Sequence, residues 1–307
     1  MMTQNCAHSA AALDRCLAQG RPALVGYLPM GYPTLDRSVE AATAMIDAGV
    51  DIVEFGVPYS DPVMDGPVIQ KAVETALDSG FRVKDTFDAV AAVRDHAPHV
   101  PVLVMTYLNP VIRYGTEAFA ADLAAAGGAG LIIPDVTPDE FEGARWVSAA
   151  RQHDLDHIFL VAPSSSPQRL KLTVEASRGF VYAASTMGVT GERAQVGQQA
   201  QELVAATRAA GAQHVCVGLG VSTADQAAQV GQYADGVIVG SAFVNPLVGD
   251  GAHFGEIAWA ERLDGLRAVT KRIALGVSQA RQQAAGEQTA GEQTAAGSPV
   301  SPSPAGA

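Results

Sequence analysis

The chain repeats one unit eight times: a short segment rich in Val, Ile, Leu and aromatic residues, then a longer Ala-rich segment with helical periodicity. Strands are predicted at residues 23–28, 51–56, 101–107, 130–134, 157–162, 179–184, 214–218 and 236–240. Strands that alternate with helices form parallel sheets, so the eight units predict an α/β chain folded as a single closed (β/α)8 TIM barrel. An open, doubly wound sheet is the alternative arrangement of the same units.

Helices are predicted between the strands, at residues 36–48, 67–79, 83–95, 116–126, 138–153, 167–177, 195–210 and 223–230. Several of these segments end at a glycine, the residue that most readily terminates a helix. The connection after the second strand is about 45 residues long, which predicts an inserted loop and an extra helix there. A further short helix at residues 9–19 is predicted to plug the N-terminal end of the barrel.

The two ends of the chain differ in composition from the barrel. We predict a disordered N-terminus at residues 1–8, a barrel domain at 9–282 and a disordered tail at 283–307. The last helix is predicted from residue 259 to about 281. After it the pentapeptide AGEQT occurs twice, followed by Ser, Pro, Gly and Ala, a low-complexity composition typical of disorder.

Composition limits the partners and the compartment. A formal net charge of −12 disfavours a nucleic acid or an anionic membrane as partner, so any phosphate must be held by local groups. The three cysteines, Cys6, Cys16 and Cys216, lack metal-type or redox-type spacing and are predicted to be reduced thiols. The chain has no signal-peptide pattern and no apolar run near the roughly 18 residues of a membrane span, so we expect a soluble, cytoplasmic protein.

The second predicted strand carries a glutamate, Glu54, among apolar residues. Side chains alternate along a strand, so Glu54 shares a face with Ile52. In a parallel strand that is covered on both sides, desolvation would raise the pKa of Glu54 toward the range useful for general acid/base catalysis. The alternative is a strand-end glutamate held by an arginine or by solvent.

Asp65 lies in the loop after this strand, just before Gly66 and Pro67. Taken alone, it would be a helix cap or a turn residue. On the same connection as Glu54, it is a candidate second carboxylate that accepts a hydrogen bond from a substrate N–H or O–H. Asp61, in the same loop, is either a loop brace or a partner contact.

Glycine groups follow the last three strands, at residues 185–191 (STMGVTG), 218–222 (GLGVS) and 240–242 (GSA). One such group is ordinary turn geometry. Three in consecutive units predict a phosphate cradle made from backbone N–H groups, without arginine or lysine. A short helix that begins at Ser241 would add its dipole. We therefore predict a phosphorylated small metabolite as the ligand.

Large apolar residues near the predicted strand ends are candidates either for a pocket that binds a flat apolar group or for ordinary barrel core. They are Tyr27, Met105, Tyr107, Ile132, Leu160, Tyr182 and Leu219. No metal site is predicted, because His153 and His157 have i, i+4 spacing but fall where a helix gives way to a strand. No nucleophile elbow, dinucleotide fingerprint or Walker loop is present in the sequence.

Together these segments resemble the alpha subunit of tryptophan synthase, from about residue 9 to the final helix. The resemblance rests mainly on residues 53–67 (VEFGVPYSDPVMDGP). Shorter matching motifs are 107–110 (YLNP), 134–135 (PD), 187–191 (MGVTG), 218–222 (GLGVS) and 240–242 (GSA). The resemblance implies a (β/α)8 barrel that cleaves indole-3-glycerol phosphate to indole and glyceraldehyde 3-phosphate. This retro-aldol lyase reaction needs no cofactor or metal in this chain.

The resemblance also implies a role for each matching position. Glu54 would transfer protons, and Asp65 would bind the indole N–H. Backbone N–H groups would bind the phosphate around Gly191, Gly220, Gly240 and Ser241. The indole would be bound by Tyr27, Met105, Ile132, Leu160, Tyr182, Thr190 and Leu219.

A partner is implied as well. Pro58, Asp61 and Asn109 match positions that contact a pyridoxal-phosphate beta subunit, to which indole passes through a tunnel, in an expected alpha2-beta2 heterotetramer. Two features depart from the family: residues 185–188 lack an arginine that some members carry, and the tail has no family role. The alternatives are a stand-alone lyase that releases indole and a non-catalytic allosteric subunit. Retention of both Glu54 and Asp65 argues against the latter.

Overall fold

The structure, a computed structural model, describes residues 8–184, 193–218, 220–249 and 257–296. Within these ranges all strand pairs are parallel and form one sheet of nine strands. The strands are β1 (Ala23–Pro29), β2 (Ile52–Gly56), β3 (Val102–Met105), β4 (Gly130–Ile132), β5 (Asp156–Ile158), β6 (Leu160–Val161), β7 (Val181–Ala184), β8 (Val215–Gly218) and β9 (Gly236–Val239).

The sheet closes into a barrel at residues 156–161, which form the two consecutive strands β5 and β6. Its strand order is β5-β4-β3-β2-β1-β9-β8-β7-β6, so β5 and β6 are its two edges. Only Phe159 separates these strands in the sequence, and its carbonyl accepts a hydrogen bond from the N–H of Tyr182 on β7 at 3.1 Å. The nine strands therefore occupy eight barrel positions. The predicted closed barrel is confirmed, and the open-sheet alternative is wrong.

Helices pack around the barrel. Those described are α1 (Ser9–Ala18), α2 (Leu35–Asp47), α3 (Pro67–Asp78), α4 (Asp85–His96), α5 (Leu108–Tyr114), α6 (Thr116–Ala125), α7 (Phe141–Gln152), α8 (Pro167–Ala176), α9 (Arg193–Ala209), α10 (Ala224–Gly231), α11 (Ser241–Val248) and α12 (Trp259–Ala296). Two helices, α3 and α4, follow β2, as the long connection predicted. Among the described residues, no helix is long and apolar enough to cross a membrane.

Two helices differ from the sequence-based expectation. Helix α5 was not predicted, because Asn109-Pro110 is typical of a turn. Pro110 instead lies in the first turn of α5, where a missing N–H costs no intrahelical hydrogen bond. Helix α12 was expected to end near Arg281, but its backbone continues to Ala296. The AGEQT repeats supply Ala, Glu and Gln, which are strong helix formers. Residues 1–7 and 297–307 lie outside the described residues.

Helix α1 covers the N-terminal end of the barrel, as predicted. Its residues Ala12, Leu13 and Cys16 are buried against inward-facing strand residues such as Ile52 and Ile238. Cys16 is a free, buried thiol, as is Cys216 within the barrel, while Cys6 lies outside the described residues. The barrel interior is therefore a packed core at this end.

A buried carboxylate attaches α1 to the barrel. Asp156 on β5 is 1% exposed, and its Oδ2 accepts hydrogen bonds from the backbone N–H of Ser9 at 2.9 Å and from the Ser9 hydroxyl at 2.6 Å. Its other oxygen lies 3.3 Å from the ring of His8 and 3.7 Å from Arg178 Nε. Because Ser9 is the first residue of α1, the carboxylate also faces the positive end of the helix dipole.

We predict that Asp156→Ala lowers the free energy of unfolding by about 2–4 kcal/mol, since it leaves buried donors on Ser9 without an acceptor. Urea unfolding followed by circular dichroism measures the change. Asp14→Ala is the matched control: this carboxylate lies on α1 itself and pairs with His214 on the barrel, but it is 70% exposed. Its loss should cost less than about 1 kcal/mol. Equal losses in the two variants would contradict the anchoring role of Asp156.

Candidate active site

A cavity of about 190 Å³ opens among the carboxyl ends of the barrel strands. Its walls come from β1, β2, β3, β7, β8 and β9, from the loop before α3, and from the start of α11. The lining residues are Tyr27, Glu54, Met64, Asp65, Ile69, Met105, Tyr182, Gly218, Gly220, Ile238, Gly240 and Ser241. Active sites of (β/α)8 barrels are built at this end.

Two other cavities are larger but carry no comparable chemistry. One, of about 320 Å³, lies at the N-terminal ends of β7 and β8, beside Arg178 and His214. The other, of about 490 Å³, lies between α7 and α8, beside Arg151. Neither is lined by a carboxylate. The cavity at the carboxyl ends of the strands contains two carboxylates, one of which is almost fully buried.

Glu54 is buried without a partner. It is 1% exposed, and its Oε2 makes no hydrogen bond in the structure. Burial raises the pKa of its carboxyl to about 8. Tyr27 lies opposite it in the β1–β2 register. Among the described residues no arginine or lysine lines the cavity, so the alternative of a glutamate held by arginine does not apply. A carboxyl in this state is protonated at neutral pH.

Asp65 is half-buried and lies two residues before the start of α3. It does not cap the helix: the N-cap is Gly66, and Pro67 occupies the first turn. Its carbonyl accepts a hydrogen bond from the Gln70 side chain at 2.8 Å, which fixes the backbone. Burial raises the pKa of its carboxyl, while a hydrogen bond from the Tyr107 hydroxyl at 3.4 Å opposes that shift. The side chain is thus free to face the cavity.

The opposite wall is made of glycine backbone and the start of a helix. Gly240 is the N-cap of α11, and Ser241 is its first residue. Gly220 has a positive φ of 63°, a conformation that favours glycine. The first N–H groups of a helix lack intrahelical partners and, with the helix dipole, favour an anion. This wall can bind a phosphate without a cationic side chain.

The structure brings together most of the predicted site residues but not all. Tyr27, Met105 and Tyr182 line the cavity, as do Glu54, Asp65 and the three phosphate-binding positions that are described. Ile132 and Leu160 do not line it. They lie one strand away, paired in register with Met105 and Tyr182, and pack into the interior core. The predicted residues Thr190, Gly191 and Leu219 lie outside the described residues.

Three lining residues were not predicted: Met64, Ile69 and Ile238. Gly218, which also lines the cavity, belongs to the predicted glycine group at residues 218–222. Met64 and Ile69 flank Asp65 in the VEFGVPYSDPVMDGP segment and the first turn of α3, so their proximity to a carboxylate was a usable signal. Ile238 lies near the carboxyl end of β9, two residues before the predicted Gly240, so its place in the sequence was also a usable signal.

The three predicted partner-contact positions divide by exposure. Asp61 and Asn109 are exposed, whereas Pro58 is buried within the chain. Two apolar side chains in the same two segments are also exposed, Val63 by 79% and Ile112 by 42%. Within the described ranges, no group of three His, Cys, Asp or Glu side chains is arranged to hold a metal ion.

Comparisons with known proteins agree with this geometry. The family profile described as "Tryptophan synthase alpha chain" matches residues 13–263. The tryptophan synthase alpha chain of Mycobacterium intracellulare is 57% identical over 266 residues, which cover 87% of this chain and 93% of the relative. Mycobacterium tuberculosis tryptophan synthase superposes with a TM-score of 0.79 at 54% identity, covering 89% of this chain and 99% of that chain.

A structure with lower sequence identity superposes equally well. The tryptophan synthase alpha subunit of Legionella pneumophila strain Paris has a TM-score of 0.79 at 28% identity, covering 91% of this chain and 100% of that chain. The matched region runs from α1 into α12, so it contains the whole barrel and both carboxylates. On this evidence the chain belongs to the tryptophan synthase alpha chain family.

Proposed function

We propose that the cavity cleaves indole-3-glycerol phosphate into indole and D-glyceraldehyde 3-phosphate, with Glu54 as the proton-transfer group and Asp65 as the group that binds the indole N–H. Family membership makes the chain a lyase of tryptophan biosynthesis. The observation that carries the residue assignment is the unpaired, buried carboxyl of Glu54, with a pKa of about 8, in a cavity that also contains Asp65 and a glycine wall.

The cleavage requires two proton transfers. Indole C3 must gain a proton, and the glycerol hydroxyl next to it must lose one as the carbon–carbon bond breaks. Glu54 is protonated at neutral pH because burial raises its pKa, so it can donate the first proton. The resulting carboxylate then accepts the hydroxyl proton, which restores the starting state. A single carboxyl with a raised pKa thus serves both steps.

Asp65 is placed to stabilise the positive charge that the reaction creates on the indole ring. Protonation at C3 makes the indole ring cationic, and the charge is shared with the ring nitrogen. A carboxylate that accepts the indole N–H stabilises that charge where it develops. Asp65 is suited to this role because it lines the cavity and is less buried than Glu54, so that it ionises more readily.

The rest of the cavity orients the substrate. We assign the phosphate to the backbone N–H groups around Gly220, Gly240 and Ser241, together with Gly191 outside the described residues. We assign the indole ring to the side chains of Tyr27, Met105 and Tyr182. Both ends of the substrate are thereby held while the bond between them breaks.

The alpha chain family implies a beta-subunit partner. We propose an alpha2-beta2 heterotetramer in the cytoplasm, with pyridoxal phosphate in the beta subunit and no cofactor in this chain. Exposed Asp61, Val63, Asn109 and Ile112 support a contact beside the cavity mouth. Pro58 is buried, so we propose that it shapes this loop from within rather than touching the partner.

The proposed reaction is tested with the purified full-length chain and indole-3-glycerol phosphate. We expect glyceraldehyde 3-phosphate to form, and to form faster when a tryptophan synthase beta subunit is added. Absence of product with and without the beta subunit would sink the lyase assignment. Product formation that the beta subunit neither binds nor alters would instead support a stand-alone indole-releasing lyase.

Glu54→Gln should fold and bind substrate but lose cleavage by a factor of about 10³ or more, since a carboxamide can neither donate nor accept the required protons. The measurement is kcat for glyceraldehyde 3-phosphate release. Wild-type rates in this variant would show that another group transfers the protons.

The same variant has a second, activity-independent readout. The carboxyl of Glu54 binds its proton more tightly in the folded chain than in the unfolded chain. Wild-type stability should therefore fall relative to Glu54→Gln as the pH rises from about 4.5 to about 8, and then level off. Urea unfolding across this pH range measures the difference. A difference that stays constant with pH would contradict the raised pKa.

Gly240→Val should raise the KM for indole-3-glycerol phosphate about tenfold, because the side chain would occupy the phosphate end of the cavity. A Cβ at Gly240 meets Tyr27 at 3.5 Å and Ile69 at 3.8 Å, which are ordinary contacts, so the backbone there has room for the first side-chain carbon. Circular dichroism checks that the variant folds. The matched control is Gly197→Ala on α9, where an added Cβ meets nothing within 4 Å. Unchanged KM in Gly240→Val would place the phosphate elsewhere.

A further inference from the structure

The Tyr107 hydroxyl joins three groups of the loop that carries Asp65. It accepts hydrogen bonds from the backbone N–H groups of Val63 and Met64, both at 3.0 Å. It lies 3.4 Å from Asp65 Oδ1. Tyr107 belongs to a different segment, between β3 and α5, so these contacts tie the loop after β2 to the neighbouring strand.

The hydrogen-bonding capacity of a phenol makes the direction of these bonds unambiguous. A tyrosine hydroxyl has one proton to donate and accepts at its oxygen. Two backbone donors occupy the oxygen, so the single O–H remains for Asp65 Oδ1. Donors that bind the oxygen also polarise the O–H and strengthen the bond that it donates. The Tyr107 proton is therefore directed at the carboxylate.

The ring of Tyr107 is held from the other side. It is 4% exposed and packs against the ring of Tyr59, with centroids 5.4 Å apart and the ring planes inclined by 35°. The Tyr59 hydroxyl in turn accepts a hydrogen bond from Asn109 Nδ2 at 3.1 Å. Tyr107 does not line the cavity, whereas Met64 and Asp65 do. A rigid side chain outside the cavity thus holds two residues of its wall.

We propose that Tyr107 is a positioning residue, which fixes Asp65 in the cavity through its hydroxyl and does not itself contact the substrate. This inference rests on the proposed function of Asp65. Two effects follow from the geometry. The bonds to Val63 and Met64 set the path of the loop, and the bond to Asp65 stabilises the ionised carboxylate, which lowers the pKa of Asp65.

Tyr107→Phe tests the proposal, because it keeps the ring on Tyr59 and removes only the hydroxyl. We expect kcat/KM for indole-3-glycerol phosphate to fall about tenfold. We also expect the acid limb of its pH profile to move to higher pH, since Asp65 would gain a proton more easily. The matched control is Tyr114→Phe: its hydroxyl donates to Asp122 at 2.5 Å, away from the cavity. The control should leave both quantities at wild-type values.

Two measurements on the unliganded chain separate this proposal from the proposed reaction. In Tyr107→Phe, the amide protons of Val63 and Met64 should exchange about tenfold faster, and the carboxyl carbon of Asp65, followed by NMR, should titrate at higher pH. Unchanged exchange and titration would overturn the proposal even if the chain were catalytically silent. A shifted titration with wild-type kcat/KM and pH profile would overturn it too. Failure of the wild type to cleave the substrate would instead count against the proposed reaction.

Discussion

The closed parallel barrel is the constraint on which the rest of the structure depends. Every residue of β1 and β2 is buried, because helices cover one face of the sheet and the barrel interior covers the other. A carboxyl on such a strand is removed from water whether or not it has a partner. This explains how Glu54 obtains a raised pKa without a charged neighbour. The architecture thus produces the raised pKa of the proposed acid–base group, and the loops supply the remaining contacts of the cavity.

Two of the three buried carboxylates of the described residues, Asp156 and Glu54, lie toward opposite ends of the barrel. Asp156, at the N-terminal end, receives two hydrogen bonds from Ser9 and lies near Arg178, so it is a structural anchor. Glu54, toward the end that holds the cavity, is equally buried but has no charged partner, and its Oε2 makes no hydrogen bond. An unsatisfied buried carboxyl lowers stability. Because Glu54 lies in a cavity, we interpret this loss of stability as the consequence of a functional role for its carboxyl.

Much of the fold and of the site was predictable, since strand–helix alternation specifies a barrel and barrels place their sites at strand ends. What alternation along a strand cannot give is which strands border the cavity: Ile132 and Leu160 have the expected character, but they lie one strand beyond the cavity wall, in the core. The paths of the loops could not be predicted from the sequence either. The role inferred for Tyr107 depends on two backbone N–H groups whose positions no pattern in the sequence encodes, and the inward burial of Pro58 has the same origin.

The close fit between Tyr27 and Gly56 has a consequence for how such a sequence can evolve. The two residues lie on adjacent strands, and a methyl group on Gly56 would overlap the hydroxyl of Tyr27. A Cβ at Gly56 would also meet the ring carbons Cε2 and Cζ of Tyr27 at 2.7 Å, so loss of the phenol oxygen alone would not make room for it. Position 56 can therefore accept a side chain only in a lineage in which the aromatic ring at position 27 has first been replaced, so the order of the two substitutions matters. The aromatic side chain that Tyr27 contributes to the cavity wall thus fixes the residue at a position outside that wall.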